Sequence, residues 1–141
     1  MTLERASAAD LAGLQRFAQD FAETLGPGDV VALQGELGAG KTTLVRALVH
    51  ALHGNDGVSS PTFTFWHRYD EGRPPIHHLD LYRLERAEER PELGLEEAFT
   101  DEAIVFVEWP ERALDLFDER TVWVSLTGSG EGSREIEVRR P

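Results

Sequence analysis

Cysteine is absent from all 141 residues of the sequence. Its absence excludes disulfide bonds, thiolate nucleophiles, and zinc or iron–sulfur sites that are built on cysteine. A metal ion bound by this chain must therefore take oxygen or imidazole ligands.

Long apolar runs are also missing. No stretch approaches the about 18 uncharged apolar residues that a membrane-spanning helix needs. The first residues carry charges at Glu4, Arg5 and Asp10, where a secretory signal would need an apolar core. The sequence therefore predicts a soluble, cytoplasmic protein that has no membrane partner.

Positive charge is scarce, because 14 lysines and arginines stand against 26 aspartates and glutamates, which gives a formal net charge of -12. Affinity for nucleic acid comes mainly from neutralising phosphates with a basic surface. We therefore expect no direct binding of nucleic acid, which would instead arrive with a partner. Only one of the 14 basic residues is a lysine, Lys41.

The first third of the chain has the pattern of a helix, a strand, a glycine loop and a second helix. Apolar residues at helical spacing predict a helix over 8–25, which ends at Gly26. The apolar, β-branched run at 30–34 is typical of a strand that is buried on both faces of a parallel sheet. After a glycine-rich loop, the helical pattern resumes from Thr42 and ends near Gly54.

The rest of the chain continues to alternate between strand and helix patterns. We predict a hairpin of strands at 62–69 and 76–84, a helix at 91–99, a strand at 103–109, a helix at 110–117 and a C-terminal edge hairpin. With 141 residues, the chain 1–141 is the size of one domain. The alternation predicts an α/β fold with three layers, in which helices cover both faces of a mostly parallel sheet and antiparallel hairpin strands are added.

The stretch "GELGAGKTTL" contains the lone lysine and fulfils the phosphate-binding pattern GxxxxGK[ST]. Glycines let the backbone wrap close to phosphates, and the following helix presents its positive dipole end to the same anion. Lys41 supplies a compact charge that fits inside a tight loop better than a forked guanidinium does. The residues expected to contact the phosphates of a nucleotide here are Gly38, Ala39, Gly40, Lys41, Thr42 and Thr43.

Two acidic residues are candidates for holding Mg²⁺ or orienting an attacking water. Glu108 ends the apolar run "IVFVE", at the edge of the sheet where ligands bind in open parallel sheets. Asp80 lies in "HHLDLY" and shares one face of its strand with His78 by period 2. The sequence leaves open which of the two carboxylates holds Mg²⁺ and which orients the water. Either could instead be an ordinary residue at a strand end.

Four segments together resemble the TsaE family, formerly YjeE, of small bacterial P-loop ATPases. They are "GELGAGKTTLVRAL", "SSPTFT", "HLDLYRL" and "VEWPERA", in this order. The resemblance covers about residues 8 to 127. It implies a role in making the threonylcarbamoyl adenosine (t6A) modification of tRNA, in which a TsaD and TsaB pair transfers the group and the family member hydrolyses ATP to allow turnover.

The resemblance also implies roles for single residues. Lys41 matches the phosphate-binding lysine, Thr42 a magnesium ligand, and Thr43 a further contact of the loop. Asp80 and Glu108 match the acidic positions around magnesium and water. Two further positions are Thr62, in a loop that can close over the nucleotide, and Trp109, an aromatic residue with a nucleotide or partner contact.

Two other functions compete with an accessory ATPase. A small-molecule or nucleoside kinase would use Arg83, Arg86 and Arg90 as a mobile lid, although glutamates interleaved with these arginines cancel much of their field. A nucleotide-dependent binding module would use ATP only to switch a surface. Hydrolysis would then be incidental.

Overall fold

The computed structural model describes residues 2–54, 65–84, 94–128 and 132–141. Within these ranges seven strands form one sheet, with bounds Thr2–Ala8 (β1), Val30–Gln34 (β2), Trp66–Tyr69 (β3), Ile76–Asp80 (β4), Ile104–Glu108 (β5), Val122–Thr127 (β6) and Arg134–Arg140 (β7). The described helices are Leu11–Ala22 (α1) and Lys41–His53 (α2), and two 3₁₀ helices within the same ranges span Leu95–Ala98 and Pro110–Leu116. None of the helices in the described ranges is long and apolar enough to cross a membrane.

The strands follow the order β1-β7-β6-β2-β5-β4-β3 across the sheet. The four central strands, β6, β2, β5 and β4, are parallel to one another. The outer pairs are antiparallel. The predicted α/β class, with a parallel centre and added antiparallel strands, is thus confirmed, and the carboxyl ends of β2, β5 and β4 meet at one edge of the sheet.

The two faces of the sheet carry different cores. Along β5 the side chains alternate, so that Ile104 and Phe106 face the cluster under α1 and α2, whereas Val105 and Val107 face the 3₁₀ helices. The four are fully buried, because helical segments cover the sheet on both sides. Burial on both faces explains the uninterrupted apolar sequence of this strand.

The prediction for the N-terminus was wrong, since Thr2–Ala8 form a strand and α1 begins only at Leu11. Asp10, whose side chain accepts a hydrogen bond from the Gly13 amide at 2.9 Å, is the N-cap of that helix. Seven residues of β1 pair antiparallel with β7. This pairing also corrects the expected position of the C-terminal hairpin, because β1 lies outside it and forms the edge of the sheet.

The two segments predicted as helices at 91–99 and 110–117 form short 3₁₀ helices where they are described. The first follows Gly94, which has a left-handed backbone with φ 64°. The second is interrupted at Ala113, whose φ of -154° is not helical. β4 also ends at Asp80 instead of continuing to 84, because the chain turns there and the Leu84 amide bonds the Leu81 carbonyl. Residues 62–64 of the predicted strand 62–69 lie outside the described residues.

Candidate functional site

A cleft of about 390 Å³ lies at the carboxyl ends of β2, β4 and β5. Asp80 and Glu108 end neighbouring parallel strands and are paired in register, so the fold itself brings the two carboxylates together. The edge of the sheet where strands end is where open α/β sheets bind ligands. The lining residues are Leu37, Gly38, Gly40, Lys41, Thr42, Thr43, Asp80, Tyr82, Glu108, Trp109 and Arg134.

The glycine loop connects β2 to α2 and forms one wall of this cleft. Gly38 and Gly40 have left-handed backbones with φ of 84° and 103°, which residues other than glycine rarely adopt. Ala39 between them is buried and its amide bonds the Glu36 carbonyl at 3.0 Å. The loop therefore has a defined shape that directs the start of α2 into the cleft.

Gly35 fixes the first turn of the loop, and we expect Gly35→Ala to destabilise the protein by about 1–3 kcal/mol. A Cβ atom here would lie 2.7 Å from the carbonyl oxygen of Leu126, and the φ of 156° is unfavourable for alanine. Urea unfolding measures the free energy of unfolding. Gly26→Ala is the matched control, because its Cβ atom would meet no atom within 4 Å. Equal stabilities of the two variants would contradict the prediction.

Lys41 lies at the centre of the site and is only 4% exposed. Its ammonium group donates hydrogen bonds to the carbonyls of Gly35 and, at 3.2 Å, Glu36. It also lies 3.9 Å from the centroid of the Trp109 ring. Burial lowers the pKa of Lys41, although nearby carboxylates, Glu108 foremost, oppose that shift. An anion in the loop would be a stronger partner for this charge than two neutral carbonyls.

Three side chains from α2, β5 and β4 form a continuous hydrogen-bonded chain. The Thr42 hydroxyl donates to the Glu108 carboxylate, with distances of 2.9 and 3.0 Å to its two oxygens. His78 Nε2 lies 2.5 Å from Glu108 Oε2. Glu108 and His78 are 2% and 5% exposed. His78 was not among the predicted site residues, although its place on the same strand face as Asp80 was a signal that could have found it.

Oxygen atoms of Thr42, Glu108 and Asp80 offer ligands that suit Mg²⁺. Asp80 is partly exposed, and its Oδ1 accepts a hydrogen bond from the Tyr82 amide at 3.1 Å. Within the described ranges, no group of three or more histidine, aspartate or glutamate side chains could hold a metal ion. Magnesium sites of this composition are completed by water and substrate phosphates. The donor set therefore fits a nucleotide-bound cation better than a permanently bound one.

Trp109 has an unusual backbone. Among the described residues it is the only one other than glycine with a positive φ, which is 58°. This turn directs the indole ring over Lys41 and toward Tyr82, whose ring centroid is 5.0 Å away. Trp109 thus lines the cleft beside Lys41, whereas Thr62 lies outside the described residues.

Arg134 is a site residue that the sequence did not reveal. It begins β7, yet its Nε donates to the Ala39 carbonyl at 2.7 Å and its Nη2 to the Gly38 carbonyl at 3.5 Å. Its guanidinium thereby ties the glycine loop to the C-terminal hairpin. Arg134 also borders a second groove of about 280 Å³, which Thr43 and Gly40 share with Leu11 and Leu14.

Comparisons with known proteins agree on one family. The model described as "Threonylcarbamoyl adenosine biosynthesis protein TsaE" matches residues 8–136. The tRNA threonylcarbamoyladenosine biosynthesis protein TsaE of Nostoc sp. is 45% identical over 120 residues, which cover 82% of this chain and 73% of that protein. The protein of the same name from Treponema pallidum is 38% identical, and the match covers 89% of this chain and 97% of that one.

A solved structure resembles the whole fold. The crystal structure of Bacillus subtilis YdiB superposes with a TM-score of 0.80 at 27% sequence identity. The match covers 99% of this chain and 86% of that chain. The order and placement of strands and helices described above is therefore shared with an experimentally determined protein.

Proposed function

This chain belongs to the TsaE family of threonylcarbamoyl adenosine biosynthesis proteins, and we propose that it is a cytoplasmic, Mg²⁺-dependent ATPase of low intrinsic activity. Its hydrolysis of ATP would allow turnover of a TsaD–TsaB pair that modifies tRNA. The single observation that carries the proposal is the convergence of Lys41, Thr42, Asp80 and Glu108 on one cleft beside a glycine loop. These are the residue types that phosphoryl transfer requires.

Phosphate binding is supported by the loop and by the start of α2. Helix α2 has 13 residues and begins at Lys41 directly after Gly40, so its N-terminal amides and its positive dipole end border the cleft. The bonds between Lys41 and the loop carbonyls would be exchanged for stronger, charge-assisted bonds to phosphate oxygens.

The carboxylates support hydrolysis. The hydroxyl hydrogen of Thr42 is engaged by Glu108, which leaves the oxygen lone pairs of Thr42 free to bind a cation. Glu108 and Asp80 would hold the cation or orient the attacking water. When bound, Mg²⁺ would neutralise charge that develops on the phosphate oxygens. The buried position of Glu108 excludes bulk water from one side of this arrangement.

The second groove is a place for the nucleoside. It adjoins the loop at Gly40 and Thr43, and Leu11 and Leu14 give it an apolar wall against which a flat base can pack. Arg134 borders both this groove and the phosphate cleft, so one side chain lies where the two parts of a nucleotide would meet.

The proposal assigns tRNA contact to the partner. A net charge of -12 is unfavourable for binding a polyanion directly. A TsaD–TsaB pair would therefore hold the tRNA, and this chain would supply ATP hydrolysis to the complex.

Steady-state ATP hydrolysis tests the proposal, measured with the protein alone and then with a TsaD–TsaB pair and unmodified tRNA. We expect stimulation of about tenfold or more, which corresponds to lowering the barrier by about 1.4 kcal/mol. Omission of Mg²⁺ should abolish both rates. An unchanged rate in the presence of the partners would contradict the coupling. Formation of a phosphorylated hydroxyl acceptor would instead indicate a kinase, for which Arg83 is the one predicted lid arginine within the described residues.

A further inference from the structure

We infer that His78 is a positioning residue that holds the Glu108 carboxylate in place for ATP hydrolysis. This inference rests on the proposed function, because it concerns the residue that acts on the nucleotide. Its basis is the buried 2.5 Å contact between His78 Nε2 and Glu108 Oε2, which joins β4 to β5. His78 lies behind Glu108 and does not line the cleft.

Two donors on different elements define the orientation of the carboxylate. The single hydroxyl proton of Thr42 on α2 is shared between the two oxygens of Glu108, and His78 Nε2 on β4 contacts Oε2. An ionised carboxylate only accepts hydrogen bonds, so Nε2 of His78 carries the proton in this contact. The backbone of β5 alone would leave the side-chain torsions of Glu108 free. With both donors present, the carboxylate is held between the helix that follows the phosphate loop and the neighbouring strand.

The imidazole is itself held firmly. His78 is 5% exposed and lies in the strand between β3 and β5. The ring of His67, its partner in the β3–β4 register, lies 5.8 Å away and is tilted by 31°. Because packing fixes this ring, the contact of His78 with Glu108 restrains the position of the carboxylate.

The expected effect falls on the rate of the chemical step more than on nucleotide affinity. The groups proposed to hold the phosphates are Lys41 and the amides of the glycine loop. In the described structure, the polar contact of His78 is with Glu108. Loss of a side chain that orients an active-site ligand typically lowers activity by about 10- to 100-fold.

His78→Ala and His78→Gln test the inference, because glutamine can place an amide N–H at a similar reach. We expect His78→Ala to lower kcat for ATP hydrolysis about 10- to 100-fold, while the Kd for ADP, measured by titration calorimetry, changes less than about threefold. His78→Gln should recover most of the lost rate. A kcat that neither variant lowers would overturn the inference, as would a loss that appears in KM alone.

His77→Ala is the matched control for burial. His77 is 6% exposed on the same strand, but its Nδ1 contacts the Ala98 carbonyl at 2.8 Å on the other face of the sheet. It should lose thermal stability as His78→Ala does and yet keep kcat. Equal losses of kcat in the two variants would show that His78 has only a structural role, and would contradict the inference. A wild-type protein without ATPase activity would overturn the proposed function, whereas an active wild type with an unaffected His78→Ala would overturn this inference alone.

Discussion

Glu108→Gln is expected to lower kcat for ATP hydrolysis by at least about 100-fold and to leave nucleotide binding largely intact. Among the described residues, Glu108 is the only buried carboxylate, and it lies at the inner end of the cleft. Glutamine preserves the shape of the side chain and one oxygen that can accept a bond from His78 or Thr42. It removes the negative charge, which a cation ligand or an acceptor of a proton from water requires.

Single-turnover hydrolysis and ATP titration, measured on the same samples, separate the two effects. Glu111→Gln is the matched control, because Glu111 is exposed and also acts electrostatically on Lys41. Removing that carboxylate should change kcat by less than about threefold, since exposed charges are well screened. A Glu108→Gln variant that still supports tRNA modification would show that hydrolysis is dispensable, and the chain would then act as a nucleotide-dependent binding module.

Local spacing was enough to predict the centre of the fold. The run 30–34 and the segment "IVFVE" are apolar because both faces of β2 and β5 are covered, and this pattern can be detected without knowing the neighbours. The glycine loop is likewise encoded within ten residues. The positions of Lys41, Thr42 and Glu108 around one cleft then follow from the topology, since parallel strands end at the same edge of the sheet.

The remaining errors have long-range causes. β1 carries few apolar residues, because as an edge strand it is exposed along most of its length, and it is specified by pairing with β7 at the other end of the chain. Arg134 reaches the glycine loop across 95 positions of sequence. No local pattern encodes such a contact. His78 differs, because period 2 already placed it on the face of Asp80, and only its 2.5 Å contact with Glu108 required the structure.

Unusual backbone angles are the other feature that the sequence did not predict. The helical pattern after Trp109 predicted a helix at 110–117, and the left-handed turn at Trp109 and the non-helical backbone of Ala113 make it a kinked 3₁₀ helix. Left-handed backbone at a tryptophan is strained and persists where the surroundings require it. Here the turn places the indole over Lys41. The departure from regular helical backbone therefore coincides with the candidate site.

Lys41→Ala is expected to weaken ATP binding about 10- to 100-fold and to abolish measurable hydrolysis. A hydrogen bond to a charged group contributes about 1.5–3 kcal/mol, and each 1.4 kcal/mol corresponds to about a tenfold change in Kd. Lys41→Arg should not restore binding, because the Nζ atom is enclosed by the carbonyls of Gly35 and Glu36 and by the Trp109 ring. A forked guanidinium does not fit that space.

The Lys41 variant should lose binding without unfolding. Burial lowers the pKa of Lys41, so the folded environment disfavours the charged form, and alanine removes that unfavourable desolvation. Titration calorimetry with ATP gives the Kd, and thermal unfolding checks the fold. Arg46→Ala is the control on the same helix, since Arg46 is exposed and outside the phosphate cleft. If Lys41→Ala bound ATP as tightly as the wild type, the anion would be held elsewhere, and the glycine loop would be a structural turn instead of a phosphate site.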